Sequence, residues 1–546
     1  MTPAQRTFPF LAASQFAVAL AAMAQSLPAQ GNLDTIPRLV EQDGRHALLV
    51  DGAPFLILGV QAHNSSAWPA VMPRVWPAVE FLHANTLEIP VYWEQFEPDP
   101  GEFNTSSVDM LLSQAREHGI RLVLLWFGTW KNGSSHYMPL WMKLNPGLYP
   151  RIIGVDGRRV DSPSPHSVAA LAADTRAFSA FMAHLRAVDS AHTVILVQVE
   201  NETGSWGSVR DYSPEAQKLF DGPVPQRLVD ALGASTAQGT NWRAVFGANA
   251  DEFFHAWSVA SYVGAVAAAG KKEYPLPLYV NTALRDPLDP GPASTYESGG
   301  PTDNVIPIWK VAAPAVDILA PDIYLKGDER YRRVLELYAR RDNTLLVPET
   351  RGDAEAARYF FMALGHGAIG WSPFGLDYSD STPGAFGVPR VTEATLAPVA
   401  LDFRLVEPMM REIARLNFEG HLQAVSEPEA EHMQKLDFGR WQAVVTYGAQ
   451  PFSRGRDGLG NPKPVGGALV GKLGENEFLV SGESCRVDFR VSEPASTLQR
   501  DFLRVEEGAY SSGVFKPTRI WNGDETDWGL NFNTEPRILH VLLGTY

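Results

Sequence analysis

The sequence predicts an α/β chain: a (β/α)8 TIM barrel followed by a smaller C-terminal β-rich domain. Three observations carry the prediction. Short apolar runs that read as buried strands recur eight times, near residues 57, 89, 123, 196, 280, 318, 346 and 370. Most are separated by stretches with helical apolar spacing, the pattern of parallel strands in βα units. No glycine-rich phosphate loop follows any of them, which disfavours an open, doubly wound sheet. Eight such units over about 350 residues close most simply into a barrel.

The elements follow in order. "RHALLVDGAPFLILGV" alternates apolar residues around Asp51-Gly52, a two-residue hairpin signal, and its second arm runs Phe55 to Val60. A helical "VWPAVEFLHAN" precedes the extended Thr86–Trp93. In "SSVDMLLSQAREHG", Val108, Leu111, Leu112 and Ala115 share one face; Ser106 or Ser107 is placed to cap the start, and Gly119 ends the helix. Ile120–Phe127 is then a nearly continuous apolar strand. "DTRAFSAFMAHLRAV" leads into "TVILVQVE", and "EFFHAWSVASYVGAVAAAG" into Leu276–Ala283. "IPIWKVAA", "RYRRVLELYARR" and "AEAARYFFMALGHG" lead in turn into Val316–Tyr324, Asn343–Thr350 and Ala368–Gly375. A last long helix covers "EATLAPVALDFRLVEPMMREIARLN". From about Glu419 the pattern changes to short extended runs broken by Gly, Asn and Pro. The expected division is therefore 1–24, 25–418 and 419–546.

Residues 1–24 read as a secretory signal peptide. Arg6 is the only charged side chain before Asp34, Phe8–Met23 is mostly apolar or small, and Ala22-Met23-Ala24 fits a cleavage pattern. The expected location is secreted or periplasmic. Cys485 is the only cysteine, so the fold rests on packing, and thiol or thiolate–metal chemistry has no support. No later stretch has the roughly 20 uninterrupted apolar residues of a membrane span. The formal net charge of −16 argues against nucleic acid as a partner and is compatible with a neutral sugar. No cofactor or metal is expected, since HExxH, GxSxG and metal-like His/Cys spacings are all missing. Nothing in the sequence assigns an oligomeric state.

In a barrel of this kind chemistry sits where the strands' C-terminal ends meet the following loops. Strand four ends in Glu200-Asn201-Glu202, and strand seven in Pro348-Glu349-Thr350. A single Glu at a strand end is ordinarily a solvated loop residue. Two on one rim match the paired carboxylates that glycosidic bond cleavage requires. One must donate a proton while the other is ionised, so their surroundings must pull their pKa values apart. Trp206 is the expected apolar neighbour of one; Tyr324 and Asn201 are expected to hydrogen-bond the other. Trp93, Trp126, Trp130, Tyr324 and Trp371 fall at or near strand tips, where aromatic faces stack on sugar rings.

"VQVENETG" resembles the "QVENEYG" segment of glycoside hydrolase family 35, the β-galactosidase family. "LLVPETRGD", "YWEQFEPDPGEFN", "VLLWFGTWKNG", "IGWSPFGLDY" and "RIWNGDETDWG" are similar to other parts of it. The resemblance covers nearly the whole mature chain and points to a bacterial branch with a small trailing β-domain. It implies Glu202 as acid/base, Glu349 as nucleophile, Glu200 as a neighbouring structural acid and Asn201 on the sugar 2-hydroxyl. Trp130, Asn132, Tyr324 and Trp371 complete the candidate substrate-binding set. The chain departs from the larger branch after strand three, where Trp130, Lys131 and Asn132 stand in place of its Arg-Pro-Gly-Pro-Tyr segment and Ala-Glu pair. Pro90 and Thr203 each replace a Tyr.

The expected function is a metal-independent retaining exo-glycosidase acting on terminal β-galactosides of plant-type oligosaccharides or polysaccharides. The alternatives are the same chemistry on a β-glucoside or α-L-arabinoside, and a non-catalytic carbohydrate-binding protein.

Overall fold

The computed structural model describes residues 36–379, 390–448, 458–492, 497–511, 513–533, 535 and 537–546. The expected signal peptide lies outside the described residues.

Eight parallel strands close into a ring: β1 (Ile57–Gln61), β2 (Thr86–Tyr92), β3 (Arg121–Lys131), β4 (Val194–Asn201), β5 (Leu278–Ala283), β6 (Ile318–Ile323), β7 (Val347–Thr350) and β8 (Gly370–Pro373). Each pairs with its neighbour in chain order, and β8 closes onto β1. Six of the eight are buried at every position, because side chains pointing inward fill the barrel and those pointing outward meet the helices. This is why the strands read as continuous apolar runs rather than as alternating ones.

Helices cover the ring. The Ser106–His118 helix buries Val108, Leu111, Leu112 and Ala115 as its spacing predicts, and Gly119 ends it in the left-handed conformation. Its start differs from expectation. Neither serine caps it; Asn104 Oδ1 accepts the Ser106 N–H at 3.1 Å. The Val168–Val188 helix begins earlier than its apolar pattern because Ser167 Oγ accepts the Ala170 N–H at 3.1 Å. The last long helix is two, Glu393–Val406 and Met410–Glu419, separated by a 3-10 turn containing Pro408.

The predicted hairpin is also divided. Arg45–Val50 turns at Asp51 and Gly52, both with positive φ as a type I′ turn requires, but only Ala53–Phe55 returns along it. Ile57 already belongs to β1, and Arg38–Gln42 adds a third strand.

The C-terminal region forms one antiparallel six-stranded and one antiparallel four-stranded sheet. A second core of Trp441, Tyr447, Phe478, Val487, Phe489 and their neighbours supports them. The six-stranded sheet packs against the barrel's Tyr359–Gly365 helix. At Gly467 a Cβ would come within 2.2 Å of the Phe361 ring, so only glycine allows this approach. Among the described residues, no helix is long and apolar enough to cross a membrane.

At the C-terminal rim, the loops after β1 and β8 are clasped together. Asp377 accepts hydrogen bonds from the His63 N–H and Ser66 Oγ at 2.9 Å each, and an oxygen lies 3.0 Å from His63 Nδ1. Burial opposes the charge, but His63 and Ser379 outweigh it and hold the carboxyl down at about 2.

Candidate active site

Strand geometry alone places successive side chains on opposite faces. At the end of β4 that rule is broken by two left-handed residues, Glu200 (φ 62°) and Glu202 (φ 41°). Such backbone costs on the order of 1–3 kcal/mol and persists only where neighbours hold it. Here the Glu202 N–H donates to Asn281 Oδ1 at 2.9 Å, and the Gly133 N–H donates to the Glu202 carbonyl at 2.9 Å. Asn201 and Glu202 thereby both face the barrel mouth, while Glu200 turns out toward the helical layer.

Glu200 there accepts the Trp130 N–H at 2.7 Å and faces Asp174. Asp174 accepts from Trp126 Nε1 at 3.0 Å and Thr129 Oγ1 at 2.7 Å. Burial and the Asp174 charge push the Glu200 carboxyl well above its ordinary range, and burial raises Asp174 as well. It is a buried structural acid.

Glu349, at the end of β7, is buried and fully hydrogen-bonded. Its Oε1 accepts from Gln61 Nε2 at 2.8 Å, Asn201 Nδ2 at 3.3 Å and Asn281 Nδ2 at 3.3 Å; its Oε2 accepts from Tyr324 Oη at 2.8 Å. Four donors and no bonded acceptor suit an ionised carboxylate. Glu202 differs. Burial first, and then the Glu349 charge, push its carboxyl up to about 7, with Lys131 and Asp322 opposing. Oxygens of Glu202, Glu349 and Asp322 all lie within 4.8 Å of one another.

Asp322, two residues before Tyr324, is buried and receives Asn281 Nδ2 at 2.7 Å. Burial and the two neighbouring glutamates raise it well above the usual carboxylate range. Glu297, in the loop after β5, is also buried and raised, by burial and by Glu202. Lys131 Nζ donates to Asn201 Oδ1 at 2.7 Å and to Asn132 Oδ1. Below Glu349, Glu88 accepts Ser372 Oγ at 2.5 Å and Tyr279 Oη at 3.3 Å, and burial lifts its carboxyl to about 8. Among the described residues, Glu202, Asp322 and Glu349 are the group close enough to share a cation. Both Glu349 oxygens are already engaged by N–H and O–H donors, which suits a proton-sharing cluster better than a metal cage.

Of the sequence-selected residues, Asn201, Glu202, Tyr324 and Glu349 therefore meet at one point. Asn132 stands exposed at the mouth, tied to Lys131. Trp130 and Trp371 do not join them. Trp130 is fully buried, with its ring edge-on to Tyr262 of the outer helix Ala250–Glu273 at 4.8 Å. Trp371 donates to Tyr331 Oη at 2.9 Å and packs against Phe360 and Phe403. Both fill the layer between strands and helices, as do Trp93 and Trp126. The exposed indoles are instead Trp206, beside Glu297, and Trp68, beside Tyr92.

Gln61, Asn281 and Asp322 escaped the sequence reading, and Lys131 entered it only as a departure from the larger branch. Each is a polar residue within the last positions of an apolar strand: "GVQAH", "TWKNG", "YVNTA" and "APDIY". The signal used for strands four and seven was present in four others. Glu297 sits in a long loop and carries no such mark.

A family model described as "Domain of unknown function (DUF5597)" matches residues 399–533. No curated protein matches the chain. Among solved structures, the chain is similar to β-galactosidase from Bacillus circulans sp. alkalophilus, at 14% identity and a TM-score of 0.49, covering 66% of this chain and 57% of that one. It is similar to β-galactosidase from the psychrophilic Marinomonas ef1 at 13% identity and a TM-score of 0.49, covering 66% and 61%. The catalytic domain of β-amylase from Paenibacillus polymyxa is similar at 12% identity and a TM-score of 0.47, covering 63% and 96%. The chain thus spans less than two thirds of the length of those two β-galactosidases.

Proposed function

We propose that this protein is a retaining exo-glycosidase that removes terminal β-galactosyl residues from plant-type oligosaccharides. One observation carries the reading: carboxyl oxygens from the ends of β4 and β7 lie within 4.8 Å of each other in opposite electrostatic settings. Direct attack needs a separation near 5–5.5 Å, whereas an interposed water needs about 6.5–9.5 Å. The short gap favours direct attack and net retention.

In the proposed reaction Glu349 Oε attacks the anomeric carbon as the glycosidic C–O bond breaks. Glu202, protonated below about 7, gives its proton to the departing oxygen. A covalent glycosyl–Glu349 ester results. Glu202, now ionised, takes a proton from water, whose oxygen attacks the same carbon and releases Glu349. Asn201, whose Nδ2 donates to Glu349, would meet the sugar 2-hydroxyl, the role the family 35 resemblance implies. Membership of that family and the choice of galactose rest on the resembling segments.

The test is a panel of nitrophenyl glycosides with the product anomer followed by proton NMR. The β-galactoside is expected to react fastest, and the β-anomer of free galactose to appear first. Preference for a β-glucoside or α-L-arabinoside would change the sugar and keep the chemistry. First appearance of the α-anomer would refute direct attack, and galactoside binding without any hydrolysis would favour a non-catalytic protein.

A further inference from the structure

We propose, resting on the glycosidase reading above, that Lys131 is a positioning residue that fixes which face of the Asn201 amide meets Glu349 and sets the charge balance around Glu202. Lys131 ends β3 and is buried, with its ammonium 5.1 Å from the centre of the Phe127 ring. Burying an ammonium is costly unless the surroundings repay it. Its hydrogen bonds go to two neutral amide oxygens, those of Asn201 and Asn132. Glu202, Glu297 and Asp322 all lie within reach of its field.

The Asn201 side chain lies between a cation and an anion. With Oδ1 2.7 Å from Lys131 Nζ, Nδ2 is left 3.3 Å from Glu349 Oε1. The flipped amide would set NH2 against the ammonium and oxygen against the carboxylate, so only one orientation satisfies both neighbours. A residue at position 131 with no N–H donor removes that selection. The groups facing Glu202 are Glu349 from β7, Asp322 and Tyr324 from β6 and the turn after it, Glu297 from the loop after β5, and Lys131. Lys131 is the only cation among them, and its field favours ionised Glu202.

Three variants separate the two roles: Lys131→Met, Lys131→Gln and Lys131→Arg, each compared with wild type on a nitrophenyl β-galactoside across pH. Lys131→Met is expected to lower kcat about ten- to a hundredfold with a smaller change in KM, because the amide loses its alignment. It should also move the basic limb of kcat/KM upward by about one unit, since removing a positive charge makes Glu202 harder to ionise. Lys131→Gln keeps a donor without the charge; it should show the shifted limb with most of kcat retained. Lys131→Arg should hold the limb in place. Unchanged limbs in both neutral variants, or equal kcat losses in all three, would overturn the proposal. Thermal melting confirms that each variant is folded, and Lys131→Gln keeps the test decisive if Lys131→Met is not. Wild-type protein that hydrolyses no glycoside would instead overturn the glycosidase reading itself.

Discussion

Glu349→Gln is expected to lower kcat by roughly four orders of magnitude or more, about 5.5 kcal/mol of transition-state stabilisation, while the fold survives. The amide keeps the shape of the carboxylate but does not attack carbon. The loss arises in chemistry rather than in packing. Gln61, Asn201, Asn281 and Tyr324 now converge on one carbonyl oxygen and an NH2 group, which weakens one or two hydrogen bonds. Removing a buried charge offsets part of that cost, so circular dichroism and the melting temperature should stay close to wild type. Glu349→Gly opens the space that the carboxylate filled. Azide entering there should restore turnover and give the α-glycosyl azide, identified by NMR. Near-normal turnover in Glu349→Gln would remove this residue from the nucleophile's role.

Glu202→Ala should divide substrates by leaving group. Glycosides that need protonation of the departing oxygen should slow by about a thousandfold, within the usual range of general acid catalysis. A dinitrophenyl glycoside, which departs without a proton, should still form the covalent intermediate and then accumulate it, because no base activates water. Azide should relieve that block and yield the β-glycosyl azide. The pH profile follows from the same group. Burial and Glu349 hold the Glu202 carboxyl near 7, so wild-type kcat/KM should fall as pH rises through about 7 and the acid proton is lost. In Glu202→Ala with the activated substrate this limb should disappear. Persistence of the limb would assign it to another group, with Asp322 first to be examined.

Much of the barrel was legible because burial on both faces writes each strand as an apolar run, and the helices between them keep their spacing. Less of the site was legible. Glu202 and Glu349 stand out as charges at the ends of buried strands, but the orientation of a side chain at a strand's tip depends on backbone that the residue order does not display. Two positive φ values at Glu200 and Glu202 send neighbouring acids to different layers. A register shift between Trp126 and Lys131 similarly ends β3 with Trp130 in the outer layer and Lys131 in the mouth. Trp130 and Trp371 were therefore read into the sugar site although both pack under helices. Asn281 carries the mark of a polar residue near a strand's end, but its role is not legible there: it bridges Glu202, Asp322 and Glu349, and such a bridge exists only once the ring has closed.

The most direct test is to trap the intermediate. Incubation with an activated 2-deoxy-2-fluoro-β-galactoside, followed by proteolysis and mass spectrometry, should find one sugar on the peptide that contains Glu349, released again when a sugar acceptor is added. A label on a different carboxylate, or rapid turnover with inversion and no label at all, would contradict the pairing of Glu349 with Glu202 on which the reading depends.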